Sequence, residues 1–388
     1  MIAWKWLWRV ALPAVAGVAF AQPAKTQETL VERVGSTGFI QVRAESFRAL
    51  NARQQALAYW LSQASIAIDP IIYDQVSRFG LRQKRVLDAI AGHPAGVGPA
   101  ALDKIMAFTK LFWANRGNHN DTTAQKFLPE LTADELKSAA LHARSHGALR
   151  EFTTDQELVK ELEELAPSFF DRDFEPMITA KNPKGSLDIL QASANTFYSN
   201  VRLIDLKNFQ EHYSLNSRLV KKADGSLTEE VYRAGTPDKK VPPGLYARYL
   251  QKAIECFQKA LPLAEPGQEA ALLDLIRYYQ TGEYQDWLKF DREWALNNPA
   301  VDFANGFIEV YRDARGAKGT AQSFVSIRDP KLDSTKIAAN AQYFEDHAPW
   351  AEQYKKQGVQ PPRAKAVETV IETGDFHVNT IGDRKSVV

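Results

Sequence analysis

The sequence predicts an α+β fold that is rich in helices and has a small antiparallel β-sheet. Long segments in both halves of the chain repeat apolar residues at helical spacing. Two strand-like runs flank Asp224-Gly225, which is typical of a β-hairpin. A third run, residues 305–312, alternates side-chain character as a strand does. Helices together with a modest antiparallel sheet place the chain in the mixed class.

Composition and charge set limits on the function. The chain has 388 residues, of which 45% are hydrophobic and 11% aromatic, so a large core is expected and wholesale disorder is excluded. The net charge of +1 gives no electrostatic basis for binding nucleic acid or an anionic membrane. The single cysteine, Cys256, excludes an internal disulfide and is expected to pack within a helix.

The N-terminus has the layout of a secretory signal peptide. Lys5 and Arg9 precede an apolar run that ends in the small-x-small sequence Ala19-Phe20-Ala21. We therefore expect residues 1–21 to be a signal peptide and the protein to be exported, in a bacterium to the periplasm. An uncleaved membrane anchor is the alternative, which tryptophans at positions 4, 6 and 8 favour. Residues 22–44 are expected to be a linker with a first strand in "GFIQVRAESF".

Capping residues mark the starts of several predicted helices. Asn51 stands three residues before Gln54, and Thr132 three residues before Glu135, which is the capping-box spacing. Gly117 is the predicted C-terminal cap of one helix. Besides the helix that follows Asn51, the first half contains the predicted helices "PAALDKIMAFTKLFWANRG", "LTADELKSAALHARSHGA" and "TTDQELVKELEEL".

The second half begins with the predicted hairpin "SRLVKKADGSLTEEVYR" and returns to helices. These helices lie in "PPGLYARYLQKAIECFQKALPLA" and "GQEAALLDLIRYYQTGEYQDWLKFDREWAL", and no fixed period supports a helical-repeat array. The strand 305–312 follows, with "SFVSIRD" as its expected partner, and then the helical segment "TKIAANAQYFEDHAPWAEQYKK".

Strand 305–312 raises a functional question. A regular strand would place Phe307, Glu309 and Tyr311 on one face. The opposite face would carry Ile308, Val310 and Arg312, and it resembles core because it begins with two β-branched aliphatic residues. The carboxylate and the phenol would lie about 6–7 Å apart along the strand. That face meets either water or a ligand.

Three histidines are the other candidates. His142 and His146 are four residues apart on a predicted helix, which is the spacing of paired metal ligands, but "HARSH" lacks the glutamate of a zinc hydrolase helix. A solvated helix end, where histidine suits the helix dipole, is the favoured interpretation. His119 lies in a long polar loop, either as part of a structural turn or with a functional role.

The segment "NGFIEVYRDARGAKG" resembles one that reads Gly-Phe-Ile-Glu-x-Tyr-x-Asp-Pro-x-Gly in the dipeptidyl peptidase III family of zinc exopeptidases. Further segments resemble the family in the same order: "LNARQQALAYWLSQASIAIDPIIYDQ", "WANRGNHNDTTAQKFLPEL", "YSLNSRLVKKADGSL", "LIRYYQTGEYQDW" and "AANAQYFEDHAPW". The resemblance implies two lobes about a cleft, one with a five-stranded β-barrel and one helical and zinc-binding. By this resemblance, residues 45–330 form the β-containing substrate lobe with helices, and residues 331–383 begin the helical lobe.

The resemblance also implies roles for single residues. Glu309 would hold the ammonium group of a short peptide, and Tyr311 would donate its hydroxyl to the oxyanion as a catalytic residue. Phe307 and Gln322 would help to bind the substrate. Gln322 stands where the family usually has a glutamate, which would weaken the hold on the peptide amine. Ala314 replaces the usual proline.

The zinc motif of the family, His-Glu-x-x-Gly-His, does not occur in this sequence. The intact family protein binds Zn²⁺, whereas no metal ligand is expected in this chain, and residues 384–388 look like an aberrant tail. We therefore expect the N-terminal, substrate-binding portion of a zinc-dependent dipeptidyl peptidase, inactive by itself. The alternatives are a non-catalytic peptide-binding protein and a repurposed relative of the family.

Overall fold

The computed structural model describes residues 30–328 and 367–375, together with isolated positions between them. The chain divides into two units, Met1–Val42 and Arg43–Val388. In the described part of the first unit, β1 (Leu30–Val34) pairs antiparallel with β2 (Thr37–Ile40). The predicted first strand is therefore confirmed only in part, since it extends no further than Ile40, and β1 was not predicted.

The second unit begins with helices. Those of its first half are α1 (Ala52–Val76), α2 (Gly80–Gly92), α3 (Pro99–Asn115), α4 (Ala133–Ser145) and α5 (Asp155–Phe170). Both predicted capping boxes are confirmed, because the side chains of Asn51 and Thr132 accept hydrogen bonds from the N–H groups of Gln54 and Glu135. The cap of α3 was predicted one residue too late. Arg116 takes the left-handed conformation there, with φ 54°.

The remaining elements alternate between small sheets and helices. In order they are β3 (Tyr198–Ser199), β4 (Ser217–Lys221), β5 (Leu227–Val231), α6 (Ala247–Ala260), α7 (Gln268–Thr281), α8 (Tyr284–Leu296), β6 (Val301–Phe307), β7 (Ala321–Arg328) and β8 (Val367–Gly374). The predicted hairpin is β4–β5, and β3 joins it in parallel. The second sheet has the order β6-β7-β8, with both pairs antiparallel.

Two large clusters of buried apolar side chains form the core of this unit. One packs α1, α6, α7 and α8 against the face of β6 and β7 that carries Phe303 and Val325. The other lies among α1 to α5. Cys256 is buried in the first cluster, which confirms its predicted packing role. Because α1 contributes to both clusters, it connects the helical part of the unit to the sheet that leads to the candidate site.

Several predictions concern residues outside the described part. They are the signal peptide 1–21, the helical segment 335–356 and the tail 384–388, and the lobe boundaries at 330 and 383 stay predictions. Within the described residues, no helix combines the length and apolar character that crossing a membrane requires.

Candidate functional site

The residues that follow β6 form a short backbone-paired segment and then a tight turn. Backbone pairing continues for two residues beyond Phe307, because the Ile308 N–H donates to the Thr320 carbonyl at 3.1 Å and the Thr320 N–H donates to the Glu309 carbonyl at 2.9 Å. The turn begins at Tyr311. Ile308 and Glu309 therefore both lie opposite Thr320, as in a β-bulge, while Tyr311 lies on the turn with 41% of its surface exposed.

Asp313 organises this turn from inside. Its buried carboxylate accepts backbone N–H groups from Arg315 at 3.0 Å, Ala317 at 2.8 Å and Lys318 at 3.0 Å. The hydroxyl of Tyr198 donates to the same carboxylate at 2.9 Å. Four hydrogen bonds to one side chain fix the backbone immediately after Tyr311, as capping carboxylates do in other turns.

Arg312 anchors the segment through a buried charge network. Its Nε donates to Asp375 at 2.7 Å, and its Nη2 donates to Asp121. The Thr320 hydroxyl donates to the second oxygen of Asp375 at 2.9 Å. The turn is thus tied to the end of β8 and to the loop that follows α3.

The electrostatics of this network are unbalanced, since one guanidinium faces two carboxylates. Burial raises the pKa of Asp121, and the attraction of Arg312 offsets only part of that rise. Burial would lower the pKa of Arg312, but the two carboxylates outweigh it and the pKa is raised. Arg312 therefore stays charged, and its guanidinium is what keeps the carboxylates stable inside the protein.

The prediction that strand 305–312 has two continuous faces is wrong in its bounds and at Phe307. The strand β6 ends at Phe307, whose ring is only 1% exposed and packs 5.0 Å from the ring of Tyr232, centroid to centroid. Phe307 belongs to the core, and its substrate-binding role stays a prediction. The predicted partner strand is confirmed as β7.

Gln322 is the second residue of β7, the central strand of its sheet, and pairs with Gly306 of β6 and Gly374 of β8. Its side chain is fully buried, and neither amide atom has a hydrogen-bond partner in the structure as described. A buried unsatisfied amide costs about 1–3 kcal/mol. A peptide would reach this amide only if neighbouring atoms moved, and the substrate-binding role of Gln322 stays a prediction.

The histidines serve structure where they are described. The His146 Nδ1 lies 2.9 Å from the carbonyl of His142 at the end of α4, and the His142 ring contacts the Ala95 carbonyl. His119 is buried, its Nε2 lies 2.8 Å from the Glu175 carbonyl, and burial lowers its pKa to about 4. Across the described residues, no three His, Cys, Asp or Glu side chains are grouped to hold a metal. These residues do not fit a zinc site.

Comparison with known proteins identifies the family of this chain. The model of peptidase family M49 matches residues 129–376, which include the Glu309–Tyr311 segment, Arg312 and Asp375 but not Asp121. The chain belongs to peptidase family M49. The resemblance read from the sequence is confirmed, and this M49 chain is a member of a family of peptidases.

Curated relatives of this M49 chain extend over most of its length. Dipeptidyl peptidase 3 of Mus musculus is 24% identical over 370 residues, covering 85% of this chain and 49% of the relative. Dipeptidyl peptidase 3 of Homo sapiens is 24% identical over 366 residues, with the same two coverages. The chain spans about half the length of the curated relatives it matches.

Solved structures support the fold. The M49 chain matches DPP III from Caldithrix abyssi with a TM-score of 0.54 and 17% identity, over 86% of this chain and 51% of that one. It matches dipeptidyl-peptidase III from Corallococcus sp. strain EGB with a TM-score of 0.55 and 15% identity, over 87% and 51%. The predicted α+β, helix-rich class is confirmed.

The sequence analysis missed the buried charge network that holds the Glu309–Tyr311 segment. Arg312 was placed on the core face without a partner, and neither Asp121 nor Asp375 was singled out. A local signal existed in Asp313, which precedes a glycine-containing turn as capping carboxylates often do. The other two carboxylates lie far away in sequence and carry no local signal.

Proposed function

We propose that this chain binds the N-terminal end of short peptides, as the substrate-binding portion of a zinc-dependent dipeptidyl peptidase. The observation that carries the proposal is the position of Glu309 and a half-exposed Tyr311, two residues apart, on a segment that Arg312 and Asp313 hold in place. The family match and the names of the curated relatives, dipeptidyl peptidase 3, support peptides as the ligand.

The chemistry of Glu309 and Tyr311 suits the binding of a peptide N-terminus and the stabilisation of an oxyanion. A carboxylate forms a charge-assisted hydrogen bond with an ammonium group, so Glu309 would fix where the peptide begins. A tyrosine hydroxyl donates at neutral pH, so Tyr311 would stabilise an oxyanion at a carbonyl placed beside it. Because β6 is an edge strand in the described sheet, the peptide would lie along it as an added strand.

Metal chemistry forms no part of what we propose for the described residues. In the intact family protein, zinc would supply the activated water. The described residues offer no grouped ligands, and the sequence contains no His-Glu-x-x-Gly-His motif. We propose that the chain alone binds peptides without cleaving them. The alternative is a peptide-binding protein that is not a peptidase. Export, proposed from residues 1–21, is compatible with both.

Calorimetry with a tetrapeptide and its N-acetylated form tests the proposal. Acetylation removes the ammonium group, so we expect the acetylated peptide to bind at least about tenfold more weakly, because a hydrogen bond to a charged group contributes about 1.5–3 kcal/mol. Glu309→Gln should abolish that difference. Glu163→Gln, which changes an exposed glutamate of α5, is the matched control and should preserve it.

Two results would contradict the proposal. Equal affinity for free and acetylated peptides would remove the assigned role of Glu309. Release of dipeptides by the purified chain supplied with Zn²⁺ would show that the chain is active by itself, contrary to our expectation.

A further inference from the structure

A second candidate site lies behind the Glu309–Tyr311 segment. A cavity of about 670 Å³ opens where residues 173–202 meet the start of β4, and none of the predicted site residues lines it. This volume is in the range of about 300–1,000 Å³ that small-molecule pockets occupy.

Charged side chains of both signs line this cavity. They are Arg78, Asp173, Glu175, Arg202 and Arg218. Two of the arginines already have partners, since the Arg78 Nε lies 3.0 Å from Glu175 and the Arg218 Nη2 lies 2.7 Å from Asp74. Their charges are balanced within the protein, which leaves Asp173 and Arg202 as the charges that a ligand could use.

These two residues are exposed and have no close ion pair within the described part of the chain. The nearest acidic partner of Arg202 is Asp205 at 3.8 Å, and Asp205 is itself engaged by Lys221 at 2.7 Å. The carboxylate of Asp173 has no ion pair among the residues that the structure describes. The cavity therefore presents one available cation and one available anion.

An apolar wall lies beside the charges. Leu187 is 50% exposed at the cavity, and Leu190 and Val201 line it from within the protein. A half-exposed leucine next to opposite charges fits a ligand that carries an apolar group as well as two ionised ones.

The cavity wall is held rigidly. Glu175 and Asn200 both take left-handed backbone conformations, with φ 49° and 57°, which cost a residue other than glycine about 1–3 kcal/mol. Asn195 donates from Nδ2 to the Arg312 carbonyl at 2.9 Å, and Tyr198 donates to Asp313. Such a pre-formed wall loses little freedom when a ligand binds.

We propose that this cavity binds a small zwitterion with an apolar side chain. Arg202 pairs with the carboxylate of the ligand, Asp173 pairs with its ammonium group, and Leu187 packs against its apolar part. Free amino acids and dipeptides share this chemistry. The site is separate from the peptide site proposed above and does not depend on it.

Calorimetry on the full chain tests the proposal with leucine and the dipeptide Ala-Leu as the probes. We expect one of them to bind with a stoichiometry of one per chain. The probe that binds more tightly shows whether the ligand is a free amino acid or a dipeptide. N-acetylleucine lacks the ammonium group and leucinamide lacks the carboxylate. Each should bind at least about tenfold more weakly than leucine, a difference of about 1.4 kcal/mol.

Variants locate the binding. Asp173→Asn and Arg202→Gln should each weaken it about tenfold. Asp103→Asn and Arg85→Gln, which change exposed residues of α3 and α2, should leave it unchanged. Because the cavity residues are exposed, circular dichroism should show that all four variants fold.

The two proposals have distinguishable failures. Binding that Glu309→Gln removes and the cavity variants preserve would belong to the peptide site and would overturn the cavity proposal. Absence of binding for both probes at millimolar concentration, or equal binding of the blocked forms, would also overturn it. Neither result bears on the comparison of free and acetylated tetrapeptides.

Discussion

Replacing Arg312 by methionine tests how the Glu309–Tyr311 segment is held. Methionine keeps much of the length of the arginine stem but removes the guanidinium. The carboxylate of Asp375 is fully buried and that of Asp121 is largely so, and the variant leaves both without a cation. Removing one partner of a buried ion pair costs about 3–5 kcal/mol. This is a large part of the free energy of unfolding of a typical protein, which is about 5–15 kcal/mol.

The pH dependence of this loss follows from the sign of the pKa shift of Asp121. Burial already raises the pKa of Asp121 in the native protein. Without Arg312 the folded-state pKa of Asp121 rises further, so the folded protein takes up a proton at Asp121 more readily than the unfolded chain does. Stability of the variant is therefore lost as the pH rises from the unfolded-state to the folded-state pKa of Asp121, and the deficit should be larger near about pH 7 than near about pH 5.

Urea unfolding at the two pH values, followed by circular dichroism, measures both effects. Arg292→Met, an exposed position of α8, is the matched control and should change stability by less than about 0.5 kcal/mol. Adding Asp121→Asn and Asp375→Asn to Arg312→Met removes the buried charges and should recover part of the loss. A deficit under about 1 kcal/mol, or one that does not depend on pH, would refute the reasoning.

Three further substitutions test single contacts, each by the free energy of unfolding. Because burial lowers the pKa of His119 to about 4, the unfolded chain takes up its proton first, and stability should fall by up to about 3 kcal/mol between about pH 6.5 and 4. His119→Gln should remove that slope, and an unchanged slope would contradict the assignment. Gln322→Met should stabilise the protein by about 1–3 kcal/mol, since it removes an unsatisfied amide, whereas a loss would point to a missed partner. Gly374→Ala places a Cβ 2.1 Å from the Ala321 carbonyl at φ 63°. It should cost clearly more than the about 1–2 kcal/mol expected for Gly185→Ala, where φ is 82° and the space is open. Equal costs would show that the positive φ, and not the contact with the Ala321 carbonyl, determines the loss of stability.

Features that depend on neighbouring residues could be predicted from the sequence. The capping boxes at Asn51 and Thr132 and the hairpin at Asp224-Gly225 each require only a few consecutive side chains. The helix α2 was not predicted, and it lacks these signals, because its N-cap residue is Phe79, whose side chain makes no capping hydrogen bond. A helix that begins without a cap depends on tertiary packing for its limits.

Features that depend on distant residues could not be predicted in this way. Arg312 and Asp121 are 191 positions apart, and Arg312 and Asp375 are 63 positions apart. The predicted limits of β6 were wrong for a related reason. Alternation of side chains continues past Phe307 in the sequence, but the turn that Asp313 organises ends the regular strand there. The family resemblance identified Glu309 and Tyr311 without showing what holds them.

The way this segment is held explains how residues outside a regular strand can still present fixed chemistry. Glu309 is held by backbone pairing to Thr320, and the turn after Tyr311 is held by the Asp313 carboxylate. Between them, Arg312 fastens the chain to Asp375. Binding residues often lie on loops that a rigid scaffold positions, and a loop fixed from within loses less freedom when a ligand binds. The buried charge network is then a condition for the proposed binding, because an arginine that left its carboxylates would release Tyr311 as well.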